Sequence, residues 1–450
     1  MKAQRVQPAA AAPSTELSPK QAMHLALAWH REGRWDAAEK IYEALVQGQP
    51  RNANALHFLG LLKHQRGRTD EALALMQRSL AEDDTVPDWH CNLGNVLLES
   101  RQLDAAAASY ERARGMAPQR PELHNNLGVL LREQGHLAQS EAAYRRALEL
   151  KPDFSDAWTN LAWLLHATDR TEEGMRAGWE ALLHSPQHAK ARKLIGMAYS
   201  RLGRLDEAAR VYREWLAEEP DNAQARHYLA ACSRDAAPER AADAYVEAEF
   251  DGFASSFDSK LAALNYRAPS LIMDQVAELV GAPARTLDVL DAGCGTGLCG
   301  PLLAPYARHL HGVDLSGGML EKARPRQVYD ALSKAELTAF IEAAAPGTWD
   351  LIVSADTLCY FGRLSAVLQA SALALREDGL LVFTVEAVDA ALHGDSAVGP
   401  GFVLNPHGRY SHHDGYVSQA LQAAGLQQIT MQSVHLRMES ARPVLGWLVA

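Results

Sequence analysis

The stretch VLDAGCGTGLCG, Val289–Gly300, decides the reading of this 450-residue chain. An apolar run, Leu287–Ala292, leads into it as a buried strand would. Gly293, Gly295 and Gly297 then permit a tight turn and close approach of backbone to a ligand. A helix following such a turn offers free N–H groups to an anion. Two patterns overlap here. Gly295, Gly297 and Gly300 satisfy GxGxxG, the dinucleotide fingerprint, which is weak alone. Asp291, Gly293, Gly295 and Gly297 form DxGxGxG. A carboxylate at Asp291 would repel a pyrophosphate, but it suits a ligand carrying an ammonium and a sulfonium.

Working outward, strand-like runs alternate with helical ones: Leu287–Ala292, His309–Leu315, Trp349–Ser354 and Gly379–Glu386. Alternation of this kind predicts a parallel sheet with helices on both faces. Gln428–Leu436 and Pro443–Ala450 read as two closing strands. Asp314 ends the second run in HLHGVDLSGGML, where an acid can accept both hydroxyls of a ribose. TWDLIVSADTLCYF (348–361) and LREDGLLVFTVE (375–386) follow in order.

Together these motifs, over residues 287 to 386, resemble class I S-adenosylmethionine-dependent methyltransferases. The resemblance implies an α/β Rossmann-like fold with a mostly parallel seven-stranded sheet, and S-adenosylmethionine as cofactor. It also implies roles. Gly293, Gly295 and Gly297 would cradle the methionine part, with Asp291 near its ammonium. Asp314 would hold the ribose, and Leu315 and Met319 would flank adenine. Asp330, in QVYDAL, would accept from the adenine amino group, with a solvated loop acid as the plainer reading. Ala355 and Asp356 would lie beside the transferable methyl.

AYVEAEFDGFASSFDSKLAALNYRAP (244–269) carries aromatics at helical spacings. It resembles the N-terminal segment of bacterial methyltransferases fused to helical repeats, which folds over the cofactor. On that resemblance a lid is expected over residues 240–270, with Phe250, Phe257 and Tyr266 lining the site; the alternative is a helix packed on the sheet. The stretch from His393 to Val417 holds His407, Arg409, Tyr410, His412, His413 and Asp414. Following the fifth strand-like run, it belongs at the carboxyl ends of the strands, where open α/β sheets bind ligands. No spacing of its histidines matches a helix face, so a polar substrate-facing loop is expected and no metal. Candidates for a general base, needed if the nucleophile holds a proton, are Asp356, Tyr360, Glu386, His407, Tyr410 and His412.

The first half repeats every 34 residues. Pro118, Pro152, Pro186 and Pro220 keep that clock, as do Gly60, Gly94 and Gly128, with Ala162 and Gly196 following. Ala38, Ala72, Ala106, Ser140, Gly174 and Ala208 form a small-residue column, and Tyr42, Met76, Tyr110, Tyr144, Gly178 and Tyr212 a bulky one. The small positions let helices approach closely and the proline ends each unit. The pattern resembles the tetratricopeptide repeat, six units long with a capping helix, stacked as a solenoid. The expected organisation is a tail over 1–18, the all-α solenoid over 19–235 and the methyltransferase domain over 236–450. Repeat five is the weakest, with glycine in both columns. Asn92, Asn126 and Asn160 share one position, which resembles the asparagine ladder of O-linked N-acetylglucosamine transferases that grips peptide backbones. The bland alternative is a common residue at that position without a ligand.

Lys+Arg 44 against Asp+Glu 55 gives a formal charge of −11, which disfavours non-specific nucleic-acid binding. Five scattered cysteines without a CxxC pair suit reduced thiols in a cytoplasm. The first 20 residues lack an apolar core for a signal peptide, and no apolar run is long enough to span a membrane. The expected function is methyl transfer to a protein or peptide held by the repeat groove. The alternatives are a small-molecule acceptor with the repeats docking a partner, or a scaffold with an inert methyltransferase domain.

Overall fold

The computed structural model describes residues 17–233, 237–388, 401–439 and 442–450. It divides into two compact units, Met1–Asn160 and Leu161–Ala450. All but the last two residues of the expected tail lie outside the described residues.

The first unit is helical. Its helices are α1 (Pro19–Arg31), α2 (Trp35–Gly48), α3 (Ala53–Gln65), α4 (Thr69–Glu82), α5 (Pro87–Glu99), α6 (Leu103–Met116), α7 (Pro121–Glu133) and α8 (Leu137–Leu150). They pack as consecutive pairs. α9 (Ser155–Ala167) crosses the division. The two sequence columns meet within each pair. A Cβ on Gly94 would stand 2.5 Å from the Tyr110 ring, and one on Gly128 2.5 Å from Tyr144. Only glycine leaves room for these buried aromatics. Pro118 and Pro152 follow the ends of α6 and α8, where a helix cannot continue.

The second unit begins with α10 (Thr171–His184), α11 (Ala189–Arg201), α12 (Leu205–Glu218) and α13 (Ala223–Cys232). In the weak fifth repeat, His166 fills the space beside Gly174 and Ile195 packs on Gly178. Next come α14 (Asp243–Asp251), a 3₁₀ turn at Ala254–Ser256, α15 (Phe257–Ala263) and α16 (Ala268–Val280). The sheet domain follows as β1 (Leu287–Ala292), α17 (Gly300–Leu303), β2 (Ala307–Asp314), α18 (Gly317–Ala323), β3 (Ala331–Lys334), α19 (Leu337–Glu342), β4 (Trp349–Ser354), α20 (Ser365–Ala374) and β5 (Leu375–Ala387). It closes with β6 (Phe402–Leu404), β7 (Tyr410–His412), α21 (Asp414–Ala423), β8 (Met431–Glu439) and β9 (Arg442–Val449).

β3-β2-β1-β4-β5 run parallel in that order, so β1 and β4 are central. β9 joins β5 antiparallel and β8 joins β9. The sheet has nine strands rather than the expected seven, because a short β6–β7 hairpin adds to the end of β5. Pleat alternation splits the core: Leu290, Ile352 and Phe383 pack under α19, α20 and α21, while Val289, Leu351 and Val382 pack under α16 and α17.

The compact-unit division falls inside the repeats, well before the expected boundary at 235. Tyr212, Trp215 and Tyr228 share one core with Tyr245, Phe402, Leu404 and Tyr410. His227 stacks on Tyr245 at 3.8 Å, and its Nε2 lies 2.8 Å from the Gly408 carbonyl oxygen. α12 and α13 pack on the β6–β7 hairpin and lie in the same compact unit as the sheet.

Candidate active site

A cavity of about 310 Å³ opens at the carboxyl ends of β1, β2 and β4. Gly293, Gly295 and Gly297 adopt φ of 79°, 54° and 82°, the left-handed region that favours glycine. A Cβ at Gly293 would meet Thr357 Oγ1 at 2.2 Å, whereas one at Gly295 would face open space with Phe257 at 3.9 Å. Gly295 is thus the point where backbone is bared to a ligand. Gly297 does not line the cavity; it closes the turn through its N–H to Cys294 O at 2.8 Å.

Asp291, 1% exposed, ends β1 inside the cavity wall. Its Oδ2 accepts from the Tyr329 hydroxyl at 2.6 Å, while Oδ1 has no hydrogen-bond partner among the described residues. Burial pushes its carboxyl up to about 7, against the Tyr329 hydrogen bond and helped by Asp314. Asp314 accepts from the N–H of Gly295 at 2.9 Å and of Ser316 at 2.8 Å, and burial raises its pKa too. Leu315, Met319 and Ala355 line the same wall. An orphaned buried carboxylate oxygen beside a bared glycine fits the ammonium of an amino-acid-bearing cofactor. Asp314 then stands where a ribose would follow.

Asp330 has another task. Its carboxylate accepts from Leu310 N at 2.8 Å at the amino end of β3, away from the cavity. The acid beyond the carboxyl end of β3 is Glu336, which lines the cavity and caps α19 by accepting from Thr338 N and Ala339 N. The adenine role assigned to Asp330 is therefore corrected. The signal in the sequence was an acid directly before a helix, one short strand further on.

Residues of the expected lid segment reach the cavity. Phe250, Phe253, Phe257 and Tyr266 line it, whereas Tyr245 is core. Asp258 accepts from the Thr296 hydroxyl at 2.5 Å and from Arg326 at 2.6 Å. Asp251 accepts from the Ser316 hydroxyl at 2.5 Å and from Gly318 N at 3.1 Å. From the repeat side, Lys193 donates to Glu249 at 2.6 Å and Gln224 donates to the same carboxylate at 2.9 Å.

Asp356 and Tyr360 also face the cavity. Behind them lies a charge cluster only partly visible in the sequence. Arg437, on β8, donates to Asp356 at 2.5 Å, to Glu439 at 2.7 Å and to Glu386. Arg409 donates to Glu386 at 2.5 Å and to both Glu439 oxygens at 2.8 Å. Burial raises Asp356 despite Arg437, whereas at Glu386 the two arginines overcome burial and hold it near about 2. Partial burial and Arg409 lower the pKa of His407, whose side chain stays 41% exposed.

Tyr410 and His412 do not reach the cavity, which corrects their candidacy for catalysis. Tyr410 is fully buried and donates to Pro238 O at 2.9 Å. His412 is fully buried with Nε2 at 3.1 Å from Gly362 O, and burial lowers its pKa to about 4. Both belong to the expected substrate-facing stretch, but β6 and β7 turn them inward; residues 393–400 of it lie outside the described residues. Among the described residues no cluster of His, Cys, Asp and Glu could hold a metal. Among them, too, no helix is long and apolar enough to cross a membrane.

In the first unit a second cavity of about 430 Å³ is lined by Trp89, Asn92, Asn95 and Asn126 among others. The asparagine amides are already engaged between repeats: Asn92 with His57 Nε2 at 3.1 Å, Asn126 to Asn95 at 2.9 Å and Asn160 to Asn125 at 2.9 Å. Asn160 does not line that cavity.

Comparison with known proteins agrees with this division of labour. Residues 264–430 match a family described as a methyltransferase domain. Residues 30–93, 91–153, 143–175 and 189–232 match tetratricopeptide-repeat families. The chain is 37% identical over 110 residues to methyltransferase-like protein 27 of Homo sapiens, covering 24% of this chain and 45% of that protein. It is 36% identical over 101 residues to the malonyl-[acyl-carrier protein] O-methyltransferase of Acetivibrio thermocellus, covering 22% and 35%. The chain thus spans less than half the length of these curated relatives. Among solved structures, Pseudomonas aeruginosa PilF has a TM-score of 0.41 at 18% identity over 47% of this chain and 96% of that one. MamA of Desulfovibrio magneticus has 0.35 at 16% over 38% and 97%. The chain joins N-terminal tetratricopeptide repeats to a C-terminal methyltransferase domain of Rossmann-like fold.

Proposed function

We propose that the sheet domain transfers a methyl group from S-adenosylmethionine to an acceptor on a protein or peptide recruited by the repeats. The observation that carries the reading is the cavity itself: Asp291 with an orphaned oxygen, the bared Gly295 and Asp314 at successive strand ends beneath a pinned aromatic lid. Those residues would hold the cofactor, with Leu315, Met319 and Glu336 around the adenine. The bound cofactor supplies an already activated methyl, so the chain's own work is alignment and exclusion of water. Phe250, Phe257 and Tyr266 close the site, and Asp356 and Tyr360 face the acceptor. Asn92, in the first unit's cavity, has a carbonyl oxygen that can meet an extended chain. A cytoplasmic setting suits the free thiols.

The test has two readouts. Calorimetry should give S-adenosylhomocysteine binding to the full chain and none for NAD. Deuterated-methyl S-adenosylmethionine added with cell lysate should label a protein, read by mass spectrometry. Labelling of small metabolites alone would favour a small-molecule acceptor, and NAD binding would refute the cofactor.

A further inference from the structure

The acceptor end of the cavity has a charge balance that selects its substrate. Three carboxylates, Asp356, Glu386 and Glu439, face two guanidiniums, Arg409 and Arg437. One negative charge is left over. All three nitrogens of Arg437 donate to these carboxylates, and Arg409 spends Nε and Nη2 on them. Arg437 is therefore committed to protein acids, and Arg409 keeps only Nη1 for any other acceptor.

Asp356 carries the opening. Its Oδ2 is held by Arg437, while its buried Oδ1 has no hydrogen-bond partner among the described residues. The residue sits at φ 55°, a left-handed conformation that costs a non-glycine residue and persists only where the surroundings enforce it. Its N–H to Thr384 Oγ1 at 2.9 Å is one such restraint. The side chain is thus locked at the cavity wall with one acceptor lone pair to spare. A buried carboxylate oxygen calls for a donor. A second carboxylate brought beside it would meet like-charge repulsion in a low-dielectric site.

We propose that the acceptor atom is a proton-bearing nitrogen or oxygen, an amine or a hydroxyl, that donates to Asp356 Oδ1, and that carboxylates are rejected. This rests on the methyl-transfer reading. In the transfer, the nucleophile's lone pair forms the new bond to the methyl carbon. The carbon–sulfur bond breaks with its electron pair going to sulfur, and the nucleophile's proton passes to Asp356 Oδ1 and on to solvent. Arg437 is the positioning residue that keeps Asp356 turned toward the acceptor.

The experiment uses the full chain saturated with S-adenosylhomocysteine and titrated with n-butylamine, n-butanol and sodium butyrate, with binding read by calorimetry. The amine or the alcohol should bind at least tenfold more tightly than butyrate, and Asp356→Asn should remove that preference. A second measurement needs no variant: protein labelled from lysate with radioactive methyl is treated with mild base. Amine and ether methyl groups stay, whereas methyl esters release methanol. Base-stable label with the amine or alcohol preferred supports the proposal, and the preferred fragment tells which of the two it is. Methanol release, a preference for butyrate, or no fragment binding to the loaded protein overturns it while leaving methyl transfer intact. Failure to bind S-adenosylhomocysteine would overturn the methyl-transfer reading and this inference with it.

Discussion

Replacing Asp291 by Asn separates stability from binding at the cavity. Asn keeps the size and still accepts from the Tyr329 hydroxyl, but it removes the ionisable group that burial pushes from 3.8 to about 7. A carboxyl whose folded pKa is raised loses stability as pH climbs from the unfolded value to the folded one. Below 3.8 both states are protonated and nothing is lost; above about 7 the loss is complete. At about 1.4 kcal/mol per pH unit, the wild type gives up roughly 4 kcal/mol at pH 8 but only about 1.5 at pH 5. The Asn variant escapes this, so its advantage should grow by about 2.5 kcal/mol between the two pH values. That is several degrees in the melting temperature of the second unit, at about 2–4 °C per kcal/mol. Cofactor affinity should move the other way. Losing a charge-assisted bond to the ammonium removes about 1.5–3 kcal/mol, or roughly ten- to a hundredfold. The assays are thermal melts of the ligand-free protein at pH 5 and 8, and calorimetry with S-adenosylhomocysteine at pH 8. A variant whose melting advantage does not grow with pH would refute the burial argument. Unchanged affinity would remove Asp291 from the site.

Asp314→Ala should weaken S-adenosylhomocysteine at least about tenfold by calorimetry, since a buried acceptor held by Gly295 and Ser316 is lost. Lys193→Ala should loosen the lid by leaving Glu249 only its bond from Gln224, read as weaker cofactor binding, with unchanged affinity refuting the coupling. Cutting the chain to 240–450 should bare Phe402, Leu404 and Tyr410 and abolish a sharp near-UV circular dichroism spectrum, whereas 161–450 should retain it; a well-folded 240–450 would show that the sheet domain does not need the last repeats. Replacing Asn92, Asn126 and Asn160 by Ala should lower the melting temperature through the lost inter-repeat bonds and leave cofactor affinity untouched. It should weaken a protein acceptor by roughly one to three decades, at about 0.5–1.5 kcal/mol per bond.

Much of the fold was legible because it is written in local periods. A 34-residue clock of glycines, small residues and prolines needs only neighbours to become helix pairs, and Gly94 under Tyr110 shows the match at atomic scale. The glycine turn was legible for the same reason: three positive φ angles in five residues strongly favour glycine. The β3 region was not. With four residues in β3, it lacks a pattern of its own, so the acid at its start, Asp330, stood out over the acid past its end, Glu336.

The histidine-rich stretch misled for a tertiary reason. Tyr410 and His412 look polar and available, yet a two-strand hairpin against β5 turns them into the core, while Arg409 between Gly408 and Tyr410 reaches the cavity. Arg437 lies at the other end of the domain sequence from Asp291 and carries no motif, so its grip on Asp356 and Glu386 could not be seen before the strands were assembled. Repeats, the Gly-rich turn and the strand-end acids depend on residues within a few positions of each other, and the chain alone specifies them. Which residue faces the cavity, which repeat belongs to which compact unit and where charge is left over depend on partners up to 181 residues apart, as in His227 and Gly408. Only the closed sheet, with β8 and β9 brought beside β5, puts those partners within bonding distance.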